Sequence, residues 1–70
     1  MRIRVSDPAL INDLVEYLQR KDCDVVQTSR NVVAVSLLNA LPYDAARFEL
    51  DFRLGDWRLG QPGATAVVID

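Results

Sequence analysis

The sequence predicts one α+β domain with the element order β-α-β-β-α-β, covering residues 1–70, and three observations carry that prediction. The chain is short, half of its residues are apolar and 26% are charged, which is the balance of a folded domain rather than of a disordered or disulfide-dense chain. β-Branched runs stand near its start, middle and end. Between them lie two longer stretches whose apolar residues recur at three- and four-residue spacing. A domain this small buries only about 60% of the surface its unfolded chain exposes, so its stability margin is thin.

The first strand is read over Met1 to Val5, where Ile3 and Val5 fall on one face and Arg2 and Arg4 on the other. Asp7 before Pro8 then marks a helix start: a carboxylate can cap free amides while proline takes the first helical position, where it loses no hydrogen bond. Leu10, Ile11, Leu14, Val15 and Leu18 line one stripe of that helix, with Asn12, Asp13, Glu16, Gln19 and Arg20 around the rest. Glu16 and Arg20 form a favourable i,i+4 pair, and the helix fades over Lys21 to Asp24.

Val25 to Thr28 and Val32 to Leu37 read as a hairpin around Ser29-Arg30-Asn31, with Asn31 suited to a left-handed turn position. In its second strand Val33, Val35 and Leu37 are the core set, opposite Val32, Ala34 and Ser36. Asn39 to Pro42 is a connector.

The segment from Phe48 to Leu59 fits two periods. Phe48, Leu50, Phe52 and Leu54 alternate with Glu49, Asp51 and Arg53 as a strand would, and Gly55-Asp56 suits a tight turn. Ala45, Phe48, Phe52, Gly55 and Leu59 also follow helical spacing, and Ala46, Leu50, Leu54 and Trp57 follow it on a second stripe. Pro42 ahead of the segment and i,i+4 pairs from Arg47 to Asp51 and Glu49 to Arg53 favour helix, ended by Gly60 and Pro62-Gly63. Thr65 to Ile69 is the last strand, with Val67 and Ile69 on one face and Ala66 and Val68 on the other. The usual solution for this order is a ferredoxin-like sandwich: a four-stranded antiparallel sheet with both helices on one face.

Asp7-Pro8 after an alternating strand, the run Asp44-Ala45-Ala46-Arg47-Phe48-Glu49-Leu50-Asp51-Phe52, Trp57 and Pro62-Gly63 together resemble a group of short, uncharacterised actinobacterial proteins. The resemblance covers most of the chain and implies one continuous second helix. Gly55 departs from the pattern, at a cost of about 1 kcal/mol for an internal helical glycine, and suggests a break there. The resemblance implies no activity, so no catalytic role is carried onto any position.

Eight Lys+Arg against ten Asp+Glu give a formal charge of −2, which supplies no broad field for nucleic acid or an acidic membrane. The expected strands hold no aromatic on which a base could stack. No stretch has the apolar length of a signal peptide or a membrane span, and the single cysteine suits a reducing compartment, so a cytoplasmic location is expected.

Cys23 stands between Asp22 and Asp24 in a chain without histidine, surroundings that disfavour a nucleophilic thiolate or a soft-metal site. No EF-hand loop follows Asp22 and Asp24, and Gly55, Gly60 and Gly63 lack the spacing of a phosphate cradle. An enzyme built on Asp44, Arg47 or Glu49 would need a cleft that sequence cannot display. No catalytic residue, cofactor or metal is therefore expected.

What remains is association. The helix-free sheet face is expected to carry Arg2, Arg4, Val32, Ala34, Ser36, Ala66 and Val68, a mixed surface suited to another sheet or chain. The second helix has two opposed apolar stripes, one of which stays outside once the other enters the core, with Trp57 as either an interface anchor or a core residue. A non-enzymatic binding or assembly module, homodimeric or with a protein partner, is the expectation. The alternative is a small-molecule regulatory domain resembling ACT-type modules.

Overall fold

The computed structural model describes residues 1–38 and 41–69. The strands are β1 (Arg2–Val5), β2 (Cys23–Ser29), β3 (Val32–Leu37) and β4 (Ala66–Val68), and the helices are α1 (Ile11–Arg20) and α2 (Tyr43–Leu59). A 3-10 turn, Pro8–Leu10, leads into α1, with the Asp7 carboxylate accepting from the Ala9 amide at 3.0 Å. The expected cap therefore forms one turn ahead of the α-helix proper.

The four strands make one antiparallel sheet in the order β2-β3-β1-β4. Because β3 is antiparallel to both β2 and β1, β1 and β2 run in the same direction with β3 between them, and α1 bridges them. By the same logic α2 joins β3 to β4 across β1. Ile3 is paired with Val33 on one side and Val68 on the other, which makes β1 a central strand.

Ile3, Val5, Cys23, Val33, Val35 and Ala66 of the sheet form one buried cluster with Ile11, Leu14 and Leu18 of α1 and with Leu50, Leu54 and Trp57 of α2. Both helices therefore bury their stripes against the same side of the sheet. The predicted α1 stripe is seen, with Leu10 and Val15 at its half-buried margin.

The segment from Phe48 to Leu59 is helix throughout, so the hairpin reading is overturned. Helical spacing wins because it places Leu50, Leu54 and Trp57 together in the core, whereas a strand would have put Leu50 and Phe52 on the same face. Gly55 does not break the helix, and Gly60 caps it through its amide to the Trp57 carbonyl at 3.1 Å. Glu49 and Arg53 form their ion pair at 2.8 Å, as Glu16 and Arg20 do at 3.8 Å; Arg47 and Asp51 are not paired among the described residues.

The left-handed position expected at Asn31 lies elsewhere. Among the described residues Asp22 is the non-glycine residue with positive φ, 61°, just beyond the end of α1, where a left-handed residue commonly stops a helix. The hairpin closes through Arg30 and Asn31, with an irregularity between Gln27 and Ser29 that takes up the strand twist. Of the connector expected over Asn39 to Pro42, Asn39 and Ala40 lie outside the described residues.

Candidate association surface

Among the described residues, the outer side of α2, the open side of the sheet and a cleft lie outside the core. On the outer side of α2, Ala45, Phe48, Phe52, Gly55 and Leu59 stand opposite the stripe that enters the core. Phe48 is 74% exposed, Phe52 72% and Leu59 83%. A single exposed apolar side chain is ordinary, but three large ones on one stripe of one helix make a continuous patch. Asp44, Arg47, Asp51, Glu49 and Asp56 flank it. Glu49 is held by Arg53, and the Asp56 carboxylate accepts from the Tyr17 hydroxyl at 3.0 Å.

Trp57 is not part of that patch. It is 4% exposed and its indole Nε1 donates to Asp13 Oδ2 at 2.8 Å, so it belongs to the core and joins α2 to α1. Its place in the helix, five residues after Phe52, turns it to the buried side.

The second face is the side of the sheet away from the helices. Arg2, Arg4 and Ser36 are exposed there, with Val32 and Ala34 half-buried beside them. Ala66 and Val68 do not join them. Ala66 is 1% exposed and Val68 packs against the core, while Val67 is turned outward. Register decides this: Val5 opposes Ala66, Arg4 opposes Val67 and Ile3 opposes Val68, and directly opposed residues share a face. Bulk alone points the other way, because Val67 and Ile69 are the larger pair. Val26, opposite Ala34, also belongs to the open face and was not singled out from sequence; the parity of β2 relative to β3 is the signal that finds it.

The cleft lies where α1 meets β2 and is lined by Lys21, Asp22, Leu37, Leu38 and Arg53. The Lys21 ammonium stands 5.6 Å from the centre of the Tyr17 ring, an arrangement that favours a cation. Arg53 gives Nη2 to Glu49, but its Nε is buried without a hydrogen-bond partner. Cys23 lies near this cleft, buried, its Sγ 3.6 Å from the Lys21 carbonyl. Burial pushes its thiol pKa up, with Arg53 opposing and Asp22 and Glu49 adding to the rise. That direction keeps the sulfur protonated, the opposite of an activated nucleophile.

Asp44 and Arg47 are exposed on α2, and Glu49 spends its carboxylate on Arg53. Among the described residues no cluster of three or more His, Cys, Asp or Glu could hold a metal ion, and no helix is long and apolar enough to cross a membrane. No family model, curated protein or solved structure matches the chain. The resemblance to short actinobacterial proteins therefore rests only on the residues that suggested it.

Proposed function

We propose that this chain is a ferredoxin-like association module, non-enzymatic, that pairs as a homodimer through the outer face of α2. The strand order, which runs 4-1-3-2 from the β4 edge, supports the ferredoxin-like reading. The observation that carries the functional reading is the exposure of Phe48, Phe52 and Leu59 on one stripe while the opposite stripe fills the core. Covering such side chains is worth about 1.5–3 kcal/mol each when burial is complete.

The open sheet face is less suited to a second copy. Stacking two copies there would take the charged side chains of Arg2, Arg4 and Asp24 out of water, a cost that the α2 stripe avoids. The α2 stripe has no charge at its centre.

Gel filtration with light scattering on the parent chain and on a Phe52→Asp variant tests the reading. The parent elutes as a dimer that dissociates on dilution, and the variant as a monomer with unchanged circular dichroism, because the ring lies outside the core. A parent chain that is monomeric up to about 1 mM, or a variant that dimerises as well as the parent, rejects it.

A second reading, a regulatory domain that binds a small effector, draws on the unpartnered Arg53 Nε and the nearby Lys21 in the cleft. Those donors suit a carboxylate or phosphate. A thermal-shift screen with amino acids and nucleotides tests it: a saturable rise in Tm that Arg53→Met abolishes supports an effector site, and no rise with any of them rejects it.

A further inference from the structure

Resting on the association reading, we propose that two copies pair by laying α2 antiparallel to α2 about a twofold axis that passes Phe52. Ala45, Phe48, Phe52, Gly55 and Leu59 are spaced three, four, three and four residues apart, the repeat of a helix-pairing seam. A twofold contact uses the same patch on both copies, so the seam has to complement itself.

It does so in the antiparallel direction. Residues equally distant from Phe52 face one another. Ala45 meets Leu59 of the second copy, each seven residues from the axis; Phe48, four residues out, is level with Asp56 and lies next to Gly55, three residues out and on the same side of the seam. Small therefore opposes large where Ala45 meets Leu59, and the Phe48 ring lies against the bare backbone of Gly55. In parallel pairing Phe48 would oppose Phe48 and Gly55 would oppose Gly55, crowding one level and leaving a void at the other.

Gly55 supplies the notch. A Cβ built there would meet only the Arg58 guanidinium, at 3.8 Å, so the incoming Phe48 ring finds open backbone beside a cation. An aromatic face over a guanidinium is attractive, which favours a ring-bearing occupant such as a second copy of this helix.

The charges agree at the ends of the seam and conflict near its middle. On one flank Asp44 faces Arg58 of the second copy, at both ends by symmetry; Arg58 gives Nη1 to the Ala66 carbonyl at 3.2 Å and keeps further donors. On the same flank the two Asp51 carboxylates come together near the axis. On the other flank Glu49 approaches Asp56 of the second copy, each already engaged within its own chain by Arg53 and Tyr17. Antiparallel helices also oppose their dipoles favourably. The three large side chains offer on the order of 400 Å² of apolar surface, about half of the ~800 Å² per partner of a standard interface. The pairing is therefore a small, reversible one.

Variants with one added cysteine, Ala45→Cys and Leu59→Cys, mixed and mildly oxidised, test the geometry. The expected product is the mixed disulfide, formed in preference to either self-linked species. Buried Cys23 leaves the parent chain uncrosslinked as the control. A Gly55→Leu variant is expected to weaken dimerisation at least ~10-fold by filling the notch, with no loss of melting temperature. Self-linking of Ala45→Cys overturns the antiparallel arrangement, as does a dimer that forms no mixed disulfide or tolerates Gly55→Leu. Those results leave association through another contact standing, whereas a parent chain that stays monomeric removes the association reading itself.

Discussion

The indole of Trp57 and the carboxylate of Asp13 meet at 2.8 Å across the two helices, and the same Asp13 oxygen accepts from Gln61 Nε2 at 2.9 Å. One carboxylate thus ties α1 to α2 and to the segment that follows it. Asp13→Ala leaves a buried indole N–H unpaired, at a cost of about 1–3 kcal/mol read as a lower midpoint in urea. Trp57→Ala removes a core side chain and costs about 3–5 kcal/mol, enough to unfold much of a domain this small.

Gly55 separates stability from association. Its added Cβ meets nothing closer than 3.8 Å, so Gly55→Ala raises stability by about 0.5–1 kcal/mol through reduced freedom of the unfolded chain. Thermal denaturation shows a higher Tm for the variant, while its dimerisation does not strengthen.

Two groups hold their protons more tightly in the folded chain. Burial raises the Cys23 thiol pKa, and burial followed by the hydrogen bond to Asp56 raises that of the Tyr17 phenol. A raised folded-state pKa means that the folded form holds its proton more tightly than the unfolded form. Their contribution is therefore complete below the unfolded values, about 8.5 for thiol and about 10 for phenol, and is lost as pH rises through the folded ones. Urea titrations show a constant midpoint from pH 7 to about 8.5 and a fall above it, and Tyr17→Phe reduces the part of that fall near pH 10.

Asp51 is the like-charged group nearest the proposed twofold axis. Asp51→Asn tightens dimerisation several-fold at low salt and less at high salt, because screening already weakens the repulsion. Sedimentation velocity of the two chains at both salt concentrations measures it.

The pattern of α1 and of the β1 and β3 core faces was legible from sequence because each has one period and one apolar side, as Ile3, Val5, Val33 and Val35 illustrate. α2 was ambiguous because it is apolar on two opposed sides. That is also why it holds the candidate surface: Phe48 and Phe52 satisfy a strand period and a helix period at once, and only packing of Leu50, Leu54 and Trp57 decides between them. The inward face of β4 is not legible from sequence because a three-residue strand has no period of its own; its parity comes from pairing with β1, which sequence does not display. The spacing of Trp57 suits core and surface alike, and the bond to Asp13 that holds it inside joins residues 44 apart in the chain.

Whether the exposed α2 stripe joins two copies of this chain is read from sedimentation equilibrium at about 100 μM. Pairing through that stripe gives a mass of twice the chain for the parent and of one chain for Phe52→Asp, both with native circular dichroism. A single-chain mass for the parent at that concentration and on tenfold further concentration would contradict it.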